Sequence, residues 1–192
     1  MIHEFTALEH HPLSADARIA LPPAATRLSM ESPAPEAMTD LRRVRAATIA
    51  PERTADDCNA LMIARGVRLL LVVDASLAIS GVITATDLLG DKPVRFMRER
   101  SVRRSEILVS DLMTPVAALE SLDVRRVVNA RVGHIVATLK AAGRQHTFVT
   151  DEDGKSLCGI FSANEIARRL GVDLPTHEVA TTFAQIEAAL GS

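Results

Sequence analysis

Two short stretches carry residue types suited to ligand chemistry. GVITATDLL (81–89) places Thr84 three residues before Asp87, and GIFSANEIA (159–167) repeats the arrangement with Ser162 and Glu165. Each pair sits where an apolar run gives way to a predicted helix. Free backbone amides and the helix dipole favour an anion at such a junction, and a hydroxyl adds a further hydrogen bond. A carboxylate one turn on accepts from sugar hydroxyls, each charge-assisted bond being worth roughly 1.5–3 kcal/mol net. The same spacing is that of a capping box, which contributes about 1 kcal/mol with no ligand at all. Spacing leaves both readings open. The first copy leans to the ligand, because the short Asp87 is expected to cap poorly from its position. The second leans to the cap, because Glu165 is long enough to fold back onto the Ser162 amide.

The elements around these pairs follow from periodicity. TADDCNALMIARG (54–66) predicts a helix, with Thr54 and Asp57 at capping-box spacing and Cys58, Leu61, Met62 and Arg65 on one mostly apolar stripe. Gly66 suits the left-handed position past its end. RLLLVVD (68–74) and AISGVI (78–83) predict two buried strands, and TATDLLG (84–90) a short helix. The order returns as a helix over 130–143, a strand over 144–151, a turn at Asp153-Gly154, a strand over 157–162 and a helix over 162–171. Gly66 and Asp74 match Gly143 and Asp151 at an offset of 77; Gly81, Thr84 and Asp87 match Gly159, Ser162 and Glu165 at 78. The offset changes only in a turn, where insertions cost least. The chain is therefore read as an internal duplication.

Outside the copies, residues 1–37 carry five prolines and predict an extended or weakly ordered arm, in which RIAL (18–21) has strand character. KPVRFMRERSVRRSEI (92–107), within the segment 92–110, reads as a solvated Arg-rich connection with local pairs to Glu99 and Glu106, the alternative being that one or two of its arginines stand near a phosphate. Over 172–192, Val179, Phe183, Ile186 and Leu190 form the stripe of an amphipathic helix. The net charge of −2 and the absence of Trp and Tyr argue against nucleic acid. Cys58 and Cys158 read as small buried apolar residues in a reducing compartment. MIHEFTALEHH lacks the regions of a signal peptide, and no apolar run nears the roughly 18 residues of a membrane span. The expected location is cytoplasmic. His10-His11 has too few companions for a metal site. No nucleophile elbow or P-loop occurs, so no enzyme site is expected.

With GVRLLLVVD and GVITATDLL in one copy, and GRQHTFVTDEDGK and GIFSANEIA in the other, the chain resembles a tandem cystathionine-β-synthase (CBS) domain pair, or Bateman module. The resemblance implies an α+β fold of two β-α-β-β-α-type repeats related by a pseudo-two-fold, over 38–91 and 111–171. DLMTP (111–115) and AMTDLRRVRAATIAP (37–51) look like the strands that lead into each repeat. The resemblance also implies a homodimeric, non-catalytic regulatory module whose clefts take AMP, ADP or ATP, with NAD and S-adenosylmethionine as further candidates, and which acts on a partner in trans. No cofactor is required. Asp87 falls at the ribose contact, and the adenine is expected against Ile49, Val67, Arg68 and Leu69. Glu165 departs from the usual Asp, leaving the second site, with Gln145 and His146 as polar contacts to a base, the weaker one. The alternative is a ligand-free interaction module whose motifs are only caps and whose clefts are plugged by the protein's own side chains, Arg68 or Arg144 among the candidates.

Overall fold

The computed structural model describes residues 8–19, 28–172, 184–186 and 188. The chain runs α1 (Ala34–Ala37), β1 (Thr39–Asp40), β2 (Thr48–Ile49), α2 (Ala55–Arg65), β3 (Leu69–Val73), β4 (Ile79–Thr84), α3 (Ala85–Leu89) and α4 (Lys92–Arg100). It continues through α5 (Val109–Leu112), β5 (Thr114–Pro115), β6 (Ser121–Asp123), α6 (Val124–Val128), α7 (Val132–Ala142), β7 (His146–Thr150), β8 (Leu157–Ser162) and α8 (Ala163–Arg169). Single 3₁₀ turns over Arg104–Glu106 and Val116–Ala118 interrupt the connections.

The duplication is visible in three dimensions. In each half a short strand pairs parallel with the next, which then forms an antiparallel hairpin: β2-β3-β4 and β6-β7-β8. Both hairpins break register at matched places, Val72/Val73 and Val149/Thr150. α2 and α7 both end on a left-handed glycine, Gly66 at φ 62° and Gly143 at φ 60°, a conformation in which a side chain is strained. The turn that absorbs the one-residue offset is held in each copy by an aspartate. Asp74 accepts from the amides of Ser76 and Ala78, and Asp151 from those of Lys155 and Ser156.

Each sheet is completed by the other half. The strand order is β2-β3-β4-β5 in one and β1-β8-β7-β6 in the other. β5, which leads into the second repeat, thus pairs with β4 of the first, and β1 pairs with β8 of the second. Glycines permit the contact. A Cβ on Gly81 would lie 2.4 Å from the Thr114 carbonyl oxygen, and one on Gly159 would meet the Met38 side chain.

Both faces of the hairpins are covered, which is why the strands read as continuous apolar runs. Leu70, Val72 and Ile83 pack with Cys58, Met62 and Leu88 in the first core. Val149 and Phe161 pack with Ile135, Leu139 and Ile166 in the second. Leu71, Val82 and Phe148 face the opposite way and join the two sheets.

Two expectations about the flanks change. Residues 28–37 are not a loose arm: Leu28, Ala34 and Ala37 are buried in the second core, and α1 fits there because its inward face is alanine. Residues 8–19 form no helix or strand, and RIAL lies partly outside the described residues. The Arg-rich connection is not simply solvated. It forms α4, with Pro93 in the first turn where its missing amide is harmless. Phe96 and Met97 pack on the first core, and Ile107 is fully buried there. The expected pair to Glu106 is present, from Arg103 at 3.3 Å, whereas Glu99 makes no ion pair among the described residues. Of the C-terminal stripe, Ile186 is buried in the second core; Val179, Phe183 and Leu190 lie outside the described residues.

Candidate ligand clefts between the repeats

Thr84 is the residue before α3, and its position follows from the antiparallel register that sets it opposite Leu69. The Asp87 amide donates to the Thr84 hydroxyl at 3.3 Å. In return the Thr84 amide and hydroxyl donate to Asp87 Oδ2 at 2.8 and 2.6 Å. The capping box is complete, although aspartate is the shorter side chain expected to cap less well from this position. Asp87 Oδ1 receives Lys92 Nζ at 2.5 Å, and the same ammonium donates to the Leu112 carbonyl at 3.2 Å. The carboxylate is nearly buried, with 12% of its side chain exposed.

Ser162 and Glu165 behave in the opposite way. The Glu165 amide donates to the Ser162 hydroxyl at 3.5 Å. The carboxylate does not fold back onto the Ser162 amide but turns to Arg168, which donates at 2.7 and 3.0 Å. The i, i+3 spacing of Glu165 and Arg168 was a signal for this pairing. The lysine was a weaker signal, since five residues separate it from Asp87 and only the turn into α4 brings it back.

Two clefts lie between the repeats. The first, about 340 Å³, has an apolar wall of Leu69, Val82, Leu119 and Phe148. Around it stand Thr84 and Asp87 from the first repeat and Arg144, Gln145 and His146 from the second, with Arg68 alongside. The second, about 510 Å³, combines Ser162, Glu165 and Arg168 with Val67, Arg68 and Leu69 of the other repeat. The expected grouping holds in part: Arg68 and Leu69 line the Thr84 and Asp87 cleft and His146 lines the Ser162 and Glu165 cleft, as expected, but all three line the other cleft as well. Two residues are exchanged: Gln145 lines only the Thr84 and Asp87 cleft, and Val67 only the Ser162 and Glu165 cleft. The cause is the face-to-face packing of the sheets, which sets the end of one hairpin against the start of the other. Ile49 lines neither cleft; it is buried in the first core.

The electrostatics are mixed. Burial pushes the His146 imidazole down to about 4, and the Arg68 cation acts the same way while Asp87 opposes it. Arg144 pairs with the exposed Glu120 at 3.1 Å. Such a surface pair is worth little, so Arg144 is easily drawn to a ligand. Arg68 is exposed and makes no ion pair among the described residues. Both arginines line open clefts, Arg68 both of them and Arg144 the first. The buried Cys58 thiol is pushed up to about 11, mainly by desolvation. Among the described residues no cluster of three or more His, Cys, Asp or Glu suits a metal ion.

The family model for the CBS domain matches residues 32–91. The fold is that of a tandem CBS pair. A conserved protein from Pyrococcus horikoshii is similar at 20% identity, over 78% of this chain and 100% of that one, with a TM-score of 0.55. The chain is also similar to CBSX2 of Arabidopsis thaliana in complex with AMP, at 22% identity over 71% and 94% of the two chains, TM-score 0.50. A third likeness is the CBS domain of a bacterial CNNM/CorC family Mg2+ transporter in complex with ATP, at 21% identity over 74% and 89%, TM-score 0.51. A search of curated proteins finds no match. No helix among the described residues is long and apolar enough to cross a membrane.

Proposed function

We propose that this CBS pair is a regulatory module that binds an adenine nucleotide of the AMP, ADP or ATP class in the first cleft and acts on a partner protein in trans. The observation that carries the reading is the composition of that cleft. An apolar wall of Leu69, Val82, Leu119 and Phe148 suits the faces of a purine. Arg68 and Arg144 supply the cations a phosphate requires. Thr84 and Asp87 offer polar groups between them. An ionised carboxylate has about four acceptor positions; the Thr84 amide, the Thr84 hydroxyl and Lys92 occupy three of Asp87's. One remains for a ribose hydroxyl. The AMP and ATP complexes of the similar structures support the ligand class. We place the module in the cytoplasm as a homodimer without catalytic activity of its own, the exposed Ile63 and Leu89 offering apolar area for association.

Calorimetry of the purified protein against AMP, ADP, ATP, NAD and S-adenosylmethionine tests this reading. Saturable heat with one adenine nucleotide is the expected result, and heat with none of the five would overturn it. One observation favours a second reading, a ligand-free interaction module. Asp87 is already engaged by a complete cap and a lysine, an arrangement that stabilises the fold without any ligand.

A further inference from the structure

The two clefts are not separate. Arg68, Leu69, His146 and Asn164 line both of them. Positions 68 and 145 are mates in the duplication, and their main chains do the same work: the Arg68 carbonyl accepts from the Ala85 amide at 2.9 Å and the Gln145 carbonyl from the Ala163 amide at 2.8 Å. The mate of Arg68 is thus an uncharged Gln145. The common wall carries one arginine where the two-fold arrangement offers two places for one. The other arginines each line a single cleft: Arg144 the first, Arg45 and Arg168 the second. Arg144 and Arg168 also carry carboxylate partners, Glu120 and Glu165. Arg68 is exposed and has no such partner among the described residues.

We infer that Arg68 is a phosphate-binding residue shared by the two clefts, so that an anionic ligand in one weakens the binding of an anionic ligand in the other. The inference rests on the nucleotide reading above. A guanidinium holds one phosphate with its planar fork. The second phosphate then meets a side chain already neutralised. Within a Debye length, about 8–10 Å in ordinary buffer, it also meets the charge of the first ligand. Such coupling is reciprocal, whichever cleft fills first. It spreads the response over a wider range of ligand concentration than one cleft gives alone.

The test uses ATP and adenosine as probes on the full-length protein. Ala118 lines the first cleft and Ala46 the second, so Ala118→Trp and Ala46→Trp each close one cleft. In either single-cleft protein, Arg68→Gln is expected to weaken ATP at least about tenfold, the size of one charge-assisted bond, and adenosine less than about twofold. With both clefts open, the second ATP binds at least about fivefold more weakly than its cleft does alone, and added salt narrows that gap. Titration of the unplugged protein gives the same answer without relying on either tryptophan: Arg68→Gln lowers the first stepwise constant and spares the second. Weakening of ATP in one cleft only, equal weakening of adenosine, or independent filling overturns the sharing and leaves the nucleotide reading standing. Failure of ATP to bind anywhere overturns both.

Discussion

At the scale of the residue, Asp87 and Glu165 occupy equivalent places and do different work. Asp87 closes a capping box and holds Lys92, whereas Glu165 pairs with Arg168 on its own helix. Replacing Asp87 by Ala removes the carboxylate half of the capping box and the ion pair to Lys92, leaving the Thr84 hydroxyl on the residue-87 amide and Lys92 on the Leu112 carbonyl. The expected loss is about 1–2 kcal/mol of stability in the ligand-free protein, seen as a lower denaturant midpoint with an unchanged slope. Glu165→Ala breaks an exposed i, i+3 pair and should cost less than about 0.5 kcal/mol. Equal losses would show that the two carboxylates are structurally alike after all. His146 gives a pH dependence. Its folded value, about 4, lies below the 6.5 of an unperturbed histidine, so the unfolded chain binds the proton more readily. Its contribution is complete above about 6.5 and is lost as pH falls through 4. A His146→Gln variant should therefore show a flatter decline in stability between pH 6.5 and 4, measured by urea unfolding.

At the scale of the element, the crossing strands decide what the hairpins tolerate. Gly81 faces a backbone oxygen of β5, which cannot swing aside, and Gly159 faces the flexible side chain of Met38. Gly81→Ala is expected to cost about 1–3 kcal/mol through overpacking, and Gly159→Ala distinctly less, because the thioether re-packs. Thermal unfolding of the two variants checks the order; a larger loss at Gly159 would contradict it. The repeated elements were legible because their signals are local. Capping residues, left-handed glycines and apolar alternation act within a few residues of the places they mark. α1 and α4 were less legible, since proline and charge dominate their composition and only their inward faces, Ala34 and Ala37 or Phe96 and Met97, reach a core.

At the scale of the whole molecule, the halves are interdependent. Ile107, Val109 and Leu112 follow the first repeat in sequence yet are buried in its core, and β5 completes its sheet. A fragment ending at residue 91 lacks all of these and should fail to fold, giving the circular dichroism of an unfolded chain. The full chain should unfold in one transition with equal calorimetric and van't Hoff enthalpies. Two transitions would mean that the repeats are autonomous. The sequence by itself determined the duplication, the order of elements within each copy and the residues at each strand-to-helix junction, because those depend on neighbours a turn or a strand away. Only the tertiary structure decided which junction faces which strand. Face-to-face packing of the sheets exchanged Val67 with Gln145, drew Ile49 into a core, and set Arg68 and His146 at the boundary of both clefts. Those outcomes depend on contacts between chain segments far apart in sequence, about which spacing within one copy carries no information.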